Sequence, residues 1–184
     1  MLPGVEWPEG ARVTSALLWR SAAVAAAIDV AFAVVLTRAV TAERFRALTR
    51  PVLALTAVLW FGIWLWVVIV FWESVYSLVF PAWSRWYLPA AQSALTTGAA
   101  WLAFRLATKV GSHAVLTYLL LGGLWGVVTH IWAVYRGILQ KPPLLQGAGA
   151  VPAVVFAFFE FTFYWCVIVG AAALLERFGR RHTP

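Results

Sequence analysis

Long apolar stretches alternate along this chain with short polar or basic ones, and they are longer than a soluble core requires. The fullest runs from Pro51 to Pro81, PVLALTAVLWFGIWLWVVIVFWESVYSLVFP, with Glu73 its one ionisable residue between the prolines. Such a run exceeds the ~20 residues a helix needs to cross a bilayer core of ~30 Å. It predicts a transmembrane helix over residues 52–80, tilted or extending past the hydrocarbon at one end. Four further stretches follow the same rule, at 15–37, 89–106, 112–139 and 151–175. The expected fold is an all-α integral membrane protein, a single polytopic domain with a bundle of five transmembrane helices.

The connectors carry the polar residues. Met1 to Ala11 holds Pro3, Gly4, Pro8 and Gly10 and reads as an irregular lead-in. It lacks the basic start of a signal peptide. Arg38 to Arg50 reads as a polar loop with four arginines and Glu43. Ala82 to Leu88 places Trp83, Trp86 and Tyr87 around Arg85, the composition of an interfacial anchor. Pro89 fits the first turn of the third span, where its missing N–H is harmless. Gln140 to Gly149 is a Pro- and Gly-rich loop, and Arg177, Arg180 and Arg181 form a basic tail.

Composition agrees with a chain that has the bilayer as its solvent. Of 184 residues 63% are hydrophobic and 11% charged, against about 25% charged in soluble domains. Twelve Trp and twelve Phe belong to the same picture, because indoles favour the membrane interface. The net charge of +7 raises nucleic-acid binding, but the basic residues are scattered over helix ends and short loops. Topology control and contact with anionic lipid explain that scatter better, so no nucleic-acid partner is expected. Cys166 is alone and inside a span, which excludes an internal disulfide.

Five spans put the termini on opposite sides. One side collects nine basic residues: Arg38, Arg44, Arg46, Arg50, Arg105, Lys109, Arg177, Arg180 and Arg181. The other holds Arg12, Arg20, Arg85, Arg136 and Lys141. The richer side is expected to be cytoplasmic, with the N-terminus outside and the C-terminus inside. The membrane expected is of the bacterial inner (cytoplasmic) type.

Buried polar residues supply the candidate chemistry. Glu73 lies eight residues before Pro81, His130 ten before Gln140 and Glu160 nine after Val151. At ~1.5 Å per residue these are depths of roughly 12, 15 and 13–14 Å from one side of the bundle. An ionisable group inside a membrane costs ~2.5–3.5 kcal/mol and usually faces the bundle interior with a partner. Three such groups at one level can satisfy one another in a network shared with Tyr76, Tyr135 or Tyr164. They can also hold a divalent metal through carboxylate and imidazole, or pass protons through His130. One His and no ligand pair at i, i+3 or i, i+4 leave the metal without a spacing signature.

Weaker signals accompany these. Asp29 lies nearer mid-membrane, too far for an easy pairing with Arg20, and is expected to meet a Thr, a Gln or water. Gly122 and Gly126 form a close-packing motif, although the gap at Gly126, one turn before His130, could also admit a ligand. Trp60, Trp64, Trp66 and Trp72 could line a pocket for a flat ligand or serve only as packing and lipid-facing residues.

No Gly-rich phosphate loop, nucleophile motif or Cys/His cluster is present, and the loops are too short for a catalytic domain. The five tryptophan-rich spans resemble the tryptophan-rich sensory proteins in span number and aromatic content alone. The leading expectation is a membrane-embedded binding protein, or a small membrane enzyme, for a hydrophobic small molecule with a polar head or a metal. The alternatives are a non-catalytic subunit packed on other membrane subunits, and a proton-coupled transporter.

Overall fold

A computed structural model describes residues 14–72, 81–135 and 149–181. Among these residues there is no strand. The α-helices are α1 (Ser15–Ala39), α2 (Ala42–Ala47), α3 (Thr49–Phe71), α4 (Leu88–Ala107), α5 (Ala114–Tyr135) and α6 (Ala150–Arg181). Four helical stretches are long and apolar enough to cross a membrane: Ser15–Ala39, Thr49–Val70, Leu88–Thr129 and Ala150–Gly179. The third of these is two helices, α4 and α5, which fold back on each other through a 3₁₀ turn, Thr108–His113. Gly111 makes that reversal with φ 70° and ψ −121°, where a Cβ would be strained. Within the described residues, five long helices stand where five apolar stretches predict them; 136–139 of the fourth stretch lie outside the described residues.

Three boundaries differ from the sequence reading. The polar loop after α1 contains a helix of its own, because Thr41 caps it by accepting from the Arg44 N–H and Glu43 lies in its first turn. The second span starts at Thr49, with Pro51 inside its first turn, where proline is tolerated. Its described part ends at Trp72, and 73–80 lie outside the described residues. The basic tail is not a tail: α6 runs on for 32 residues through Arg177 to Arg181. Its full length of about 48 Å exceeds the bilayer core.

α6 organises the bundle. At one end the Gly149 N–H donates to Ser15 Oγ at 2.8 Å. Further along, Phe32 meets Phe163 edge-on at 5.9 Å, and Leu36 lies against Gly170. α1 and α6 are thus parallel, and their register agrees to within about one turn along these contacts. α5 packs antiparallel on α6, since Gly122 lies against Trp165 and Gly126 against Ala157 and Phe161. α3 reaches α6 through Trp60, which packs on Phe161 at 4.8 Å and Tyr164 at 5.7 Å.

The core is aromatic at the opposite end. Phe45 of α2 stacks on Phe104 of α4 at 4.4 Å, and Tyr118 of α5 touches both and then Trp165 of α6. Large apolar side chains such as Val30, Val58, Leu102 and Val128 are exposed on the outer faces. Ser93 and Thr96 face inwards, and Ser93 Oγ donates to the Ala57 carbonyl at 2.7 Å, tying α4 to α3. Apolar outside and polar inside is the distribution a lipid solvent selects.

Arg44 closes the basic end. Its Nε donates to Glu176 Oε2 at 2.8 Å, and its terminal nitrogens donate to the carbonyls of Ala39 and Ala173. One guanidinium thereby joins α1, α2 and α6, while Arg46 donates to the Thr108 carbonyl between α4 and α5. Hydrogen bonds to charged groups contribute about 1.5–3 kcal/mol, so Arg44→Ala should lower Tm in detergent by several degrees at ~2–4 °C per kcal/mol. An unchanged Tm would mean that the clamp is an exposed contact of no consequence.

Candidate functional site

Glu160 and Tyr164 lie one turn apart on α6, where i and i+4 side chains share a face. The Tyr164 hydroxyl donates to Glu160 Oε1 at 3.1 Å. Both line a groove of about 530 Å³ between α6 and α1, together with Phe156 and Phe163. The α1 wall is Arg20, Ser21, Val24, Ala25 and Ile28. Val24 is 60% and Ile28 40% exposed, so the groove opens sideways from the bundle.

The register between α1 and α6 sets the depths. Arg20 lies about 8 Å along α1 from Ser15, and Glu160 about 15 Å along α6 from Ala150. The groove therefore has a cation near its mouth and a carboxyl held by a phenol further in. Arg20 and Glu160 make no ion pair with each other; among the described residues the ion pair is that of Arg44 with Glu176.

Asp29 lies one turn beyond Ala25 and is buried, and it is not among the residues that line the groove. It is 4% exposed, and among the described residues neither carboxyl oxygen has a hydrogen-bond partner, so no described Thr or Gln meets it. A buried polar group without a partner is rare enough to require an explanation of its own.

Of the residues singled out in the sequence, Glu160 and Tyr164 are brought together. Glu73 and Tyr76 lie outside the described residues, as do the side chains of His130 and Tyr135. The backbone still gives levels. Gly126 faces Ala157 and Phe161, level with Glu160, and His130 is one turn further, about 6 Å along α5. Trp60 packs at the level of Glu160, whereas Trp72 is twelve residues, or roughly 18 Å, along α3. Among the described residues no three His, Cys, Asp or Glu side chains gather as metal ligands would.

One sharper sequence reading is corrected. The gap at Gly126 is no ligand space, because a Cβ there would stand 2.6 Å from the Ala157 carbonyl oxygen and from the Phe161 ring. The tryptophans of the second span line neither the α1/α6 groove nor the one between α4 and α5. Trp60 and Trp72 are buried in packing, the latter beneath the Arg85 guanidinium at 5.9 Å, and Trp66 is 56% exposed. Trp83, Trp86 and Tyr87 are exposed around Arg85, as an interfacial anchor requires.

Sequence reasoning missed Arg20 as a site residue. Its only signal was a charge inside an apolar stretch, and the partner face on α6 follows from a parallel register that no local pattern encodes. A second groove of about 640 Å³ between α4 and α5, lined by Gly98, Leu102, Leu124 and Trp125 among others, has no charged residue in its walls. No protein-family model, curated protein or solved structure matches this chain. The likeness to the tryptophan-rich sensory proteins remains one of span number and aromatic content.

Proposed function

We propose that this protein is a five-span membrane protein that takes an amphiphilic molecule from the lipid phase into the groove between α1 and α6. One observation carries the reading. A laterally open, apolar and aromatic cleft contains Arg20 and the Glu160–Tyr164 pair and little other polarity. Small-ligand sites have this character, with mostly apolar walls and a few placed polar groups. The volume of about 530 Å³ falls within their usual range. The His130 position, one turn along α5 from this level, belongs to the same proposal, whereas Glu73 follows Trp72 and lies outside the described residues.

Lipid extracts of the purified protein should contain an amphiphile at near-stoichiometric amount. Arg20→Gln and Glu160→Gln should each reduce it about tenfold, which corresponds to ~1.4 kcal/mol of binding free energy. Both variants retain side-chain shape or exposure, so their Tm without ligand should stay near that of the parent. Equal retention in all three proteins would remove the groove from consideration.

The orientation is part of the proposal. Arg44, Arg46, Arg105, Lys109 and Arg177 cluster at the end of the bundle away from Ser15 and Gly149. The positive-inside rule places that end in the cytoplasm of a bacterial-type cell. Cys166 is buried, so a cysteine introduced at Arg46 can be labelled against a quiet background. It should react with an impermeant reagent only after the cells are opened. Labelling in intact cells would reverse the orientation.

A second reading has one observation in its favour. Asp29 puts a titratable group at mid-bundle with no hydrogen-bond partner among the described residues, as proton-handling proteins do. Asp29→Asn would then stop proton uptake by vesicles containing the protein while leaving amphiphile binding intact.

A further inference from the structure

The depths of the two polar positions in the α1/α6 groove restrict its ligand further. α1 is 25 residues long, or about 37 Å, against a bilayer core of ~30 Å. Each end therefore overhangs the hydrocarbon by a few ångströms. Arg20, about 8 Å in from Ser15, has its Cα just inside the hydrocarbon boundary. A side chain of its length is able to snorkel from there to the level of lipid phosphates. It has no counter-ion among the described residues. A guanidinium at that depth matches an oxyanion with paired oxygens, which its planar fork holds by two hydrogen bonds.

Glu160 is set differently. In the α1 register it is level with Ala26, six residues or roughly 9 Å deeper than Arg20. Tyr164 already donates to Oε1, and Oε2 has no partner among the described residues. A carboxylate in an apolar wall accepts hydrogen bonds and cannot be satisfied by another acceptor. The ester oxygens of a two-chain phospholipid lie on the tail side of the phosphate and are acceptors only. A one-chain lipid that keeps a free hydroxyl or ammonium there supplies the missing donor. Val24, Ile28 and Phe163 then line the path of a single chain.

We propose that the groove selects a single-chain amphiphile with a phosphate head, bound by Arg20, and a hydroxyl or ammonium on its tail side, bound by Glu160. This rests on the amphiphile-binding reading above and names its ligand class. Lysophosphatidates and sphingoid-base phosphates share the required chemistry.

The test is a binding series on the purified full chain in a neutral maltoside detergent, read by native mass spectrometry. The probes are oleoyl lysophosphatidate, dioleoyl phosphatidate, oleyl phosphate, oleate, oleyl alcohol and inorganic phosphate. Lysophosphatidate should bind at least tenfold more tightly than phosphatidate or oleyl phosphate, and inorganic phosphate should not bind. Arg20→Gln should weaken every phosphate-headed lipid about tenfold, with partial recovery in Arg20→Lys. Glu160→Gln should weaken lysophosphatidate and leave oleyl phosphate unchanged, because the latter has no donor to lose. Equal loss of both lipids in Glu160→Gln would overturn the assigned hydroxyl contact. Tight binding of inorganic phosphate alone would overturn a lipid ligand. Preference for oleate or oleyl alcohol, sensitive to either substitution, would overturn the class and leave the binding reading standing. If no amphiphile binds, both readings fall together.

Discussion

Gly126→Leu should prevent stable folding, and even Gly126→Ala should lower Tm by several degrees. A Cβ at this position would stand 2.6 Å from the Ala157 carbonyl oxygen, and at similar distance from the Phe161 ring. A ring can turn aside in a loose bundle, but a backbone oxygen inside α6 cannot. Relief therefore requires α5 and α6 to move apart, and that separation would also unseat Gly122 from Trp165 and Gly123 from Thr162 and Phe158. Overpacking of one side chain costs about 1–3 kcal/mol when neighbours can yield. Leucine, with its neighbours unable to yield, should exceed that range. Gly62 is the internal control, because a Cβ there meets nothing within 4 Å. Gly62→Ala should be neutral or stabilise by about 0.5–1 kcal/mol through the lower helical cost of alanine. Thermal unfolding of the two alanine variants side by side separates close packing from a general sensitivity of glycine positions. Equal Tm values would dismiss the α5/α6 seam as a determinant of the fold.

Why that seam was legible, and the groove was not, has a physical reason. Small residues spaced one turn apart report close approach of two backbones directly, since nothing else explains three glycines in five residues of an apolar helix. Helix positions were legible for the same kind of reason: a span must be long and apolar wherever it lies in the bundle. Helix ends outside the hydrocarbon obey different rules. α2 and the continuation of α6 depend on a Thr cap and on Arg44 reaching Glu176, and neither carries a hydropathy signal. The candidate site was half legible. Glu160 and Tyr164 are four residues apart and announce their contact, whereas Arg20 joins them only because α1 lies parallel to α6 in one register. The common depth inferred for Glu73, His130 and Glu160 counts residues from span ends. In α5 the contact register refines that count, placing the His130 backbone about 6 Å from the level of Glu160.

Asp29→Ala should raise the stability of the protein, which is the opposite of the usual result for a buried substitution. Both carboxyl oxygens of Asp29 are buried and, among the described residues, without a hydrogen-bond partner. Leaving a buried polar group unsatisfied costs about 1–3 kcal/mol, more if it is charged. Removing the carboxyl removes that cost, and alanine is also the better residue in a helix interior. Against this stands the small void left beside α1, which for three heavy atoms is worth less than the desolvation relieved. The net expectation is a gain of roughly 1–2 kcal/mol, or a rise in Tm of several degrees at ~2–4 °C per kcal/mol. Asp29→Asn should give little or none of this, since an amide of the same shape is equally without partners. That contrast makes the experiment decisive. If alanine instead lowers Tm while asparagine is tolerated, Asp29 has a partner in the folded protein, and its hydrogen bond outweighs its burial. If both substitutions behave as expected, the chain keeps a destabilising acid at mid-bundle. A destabilising group retained in a packed seam is a functional signature, so Asp29→Ala should then be tested for proton uptake and amphiphile binding. Loss of either activity in a protein made more stable cannot be attributed to misfolding.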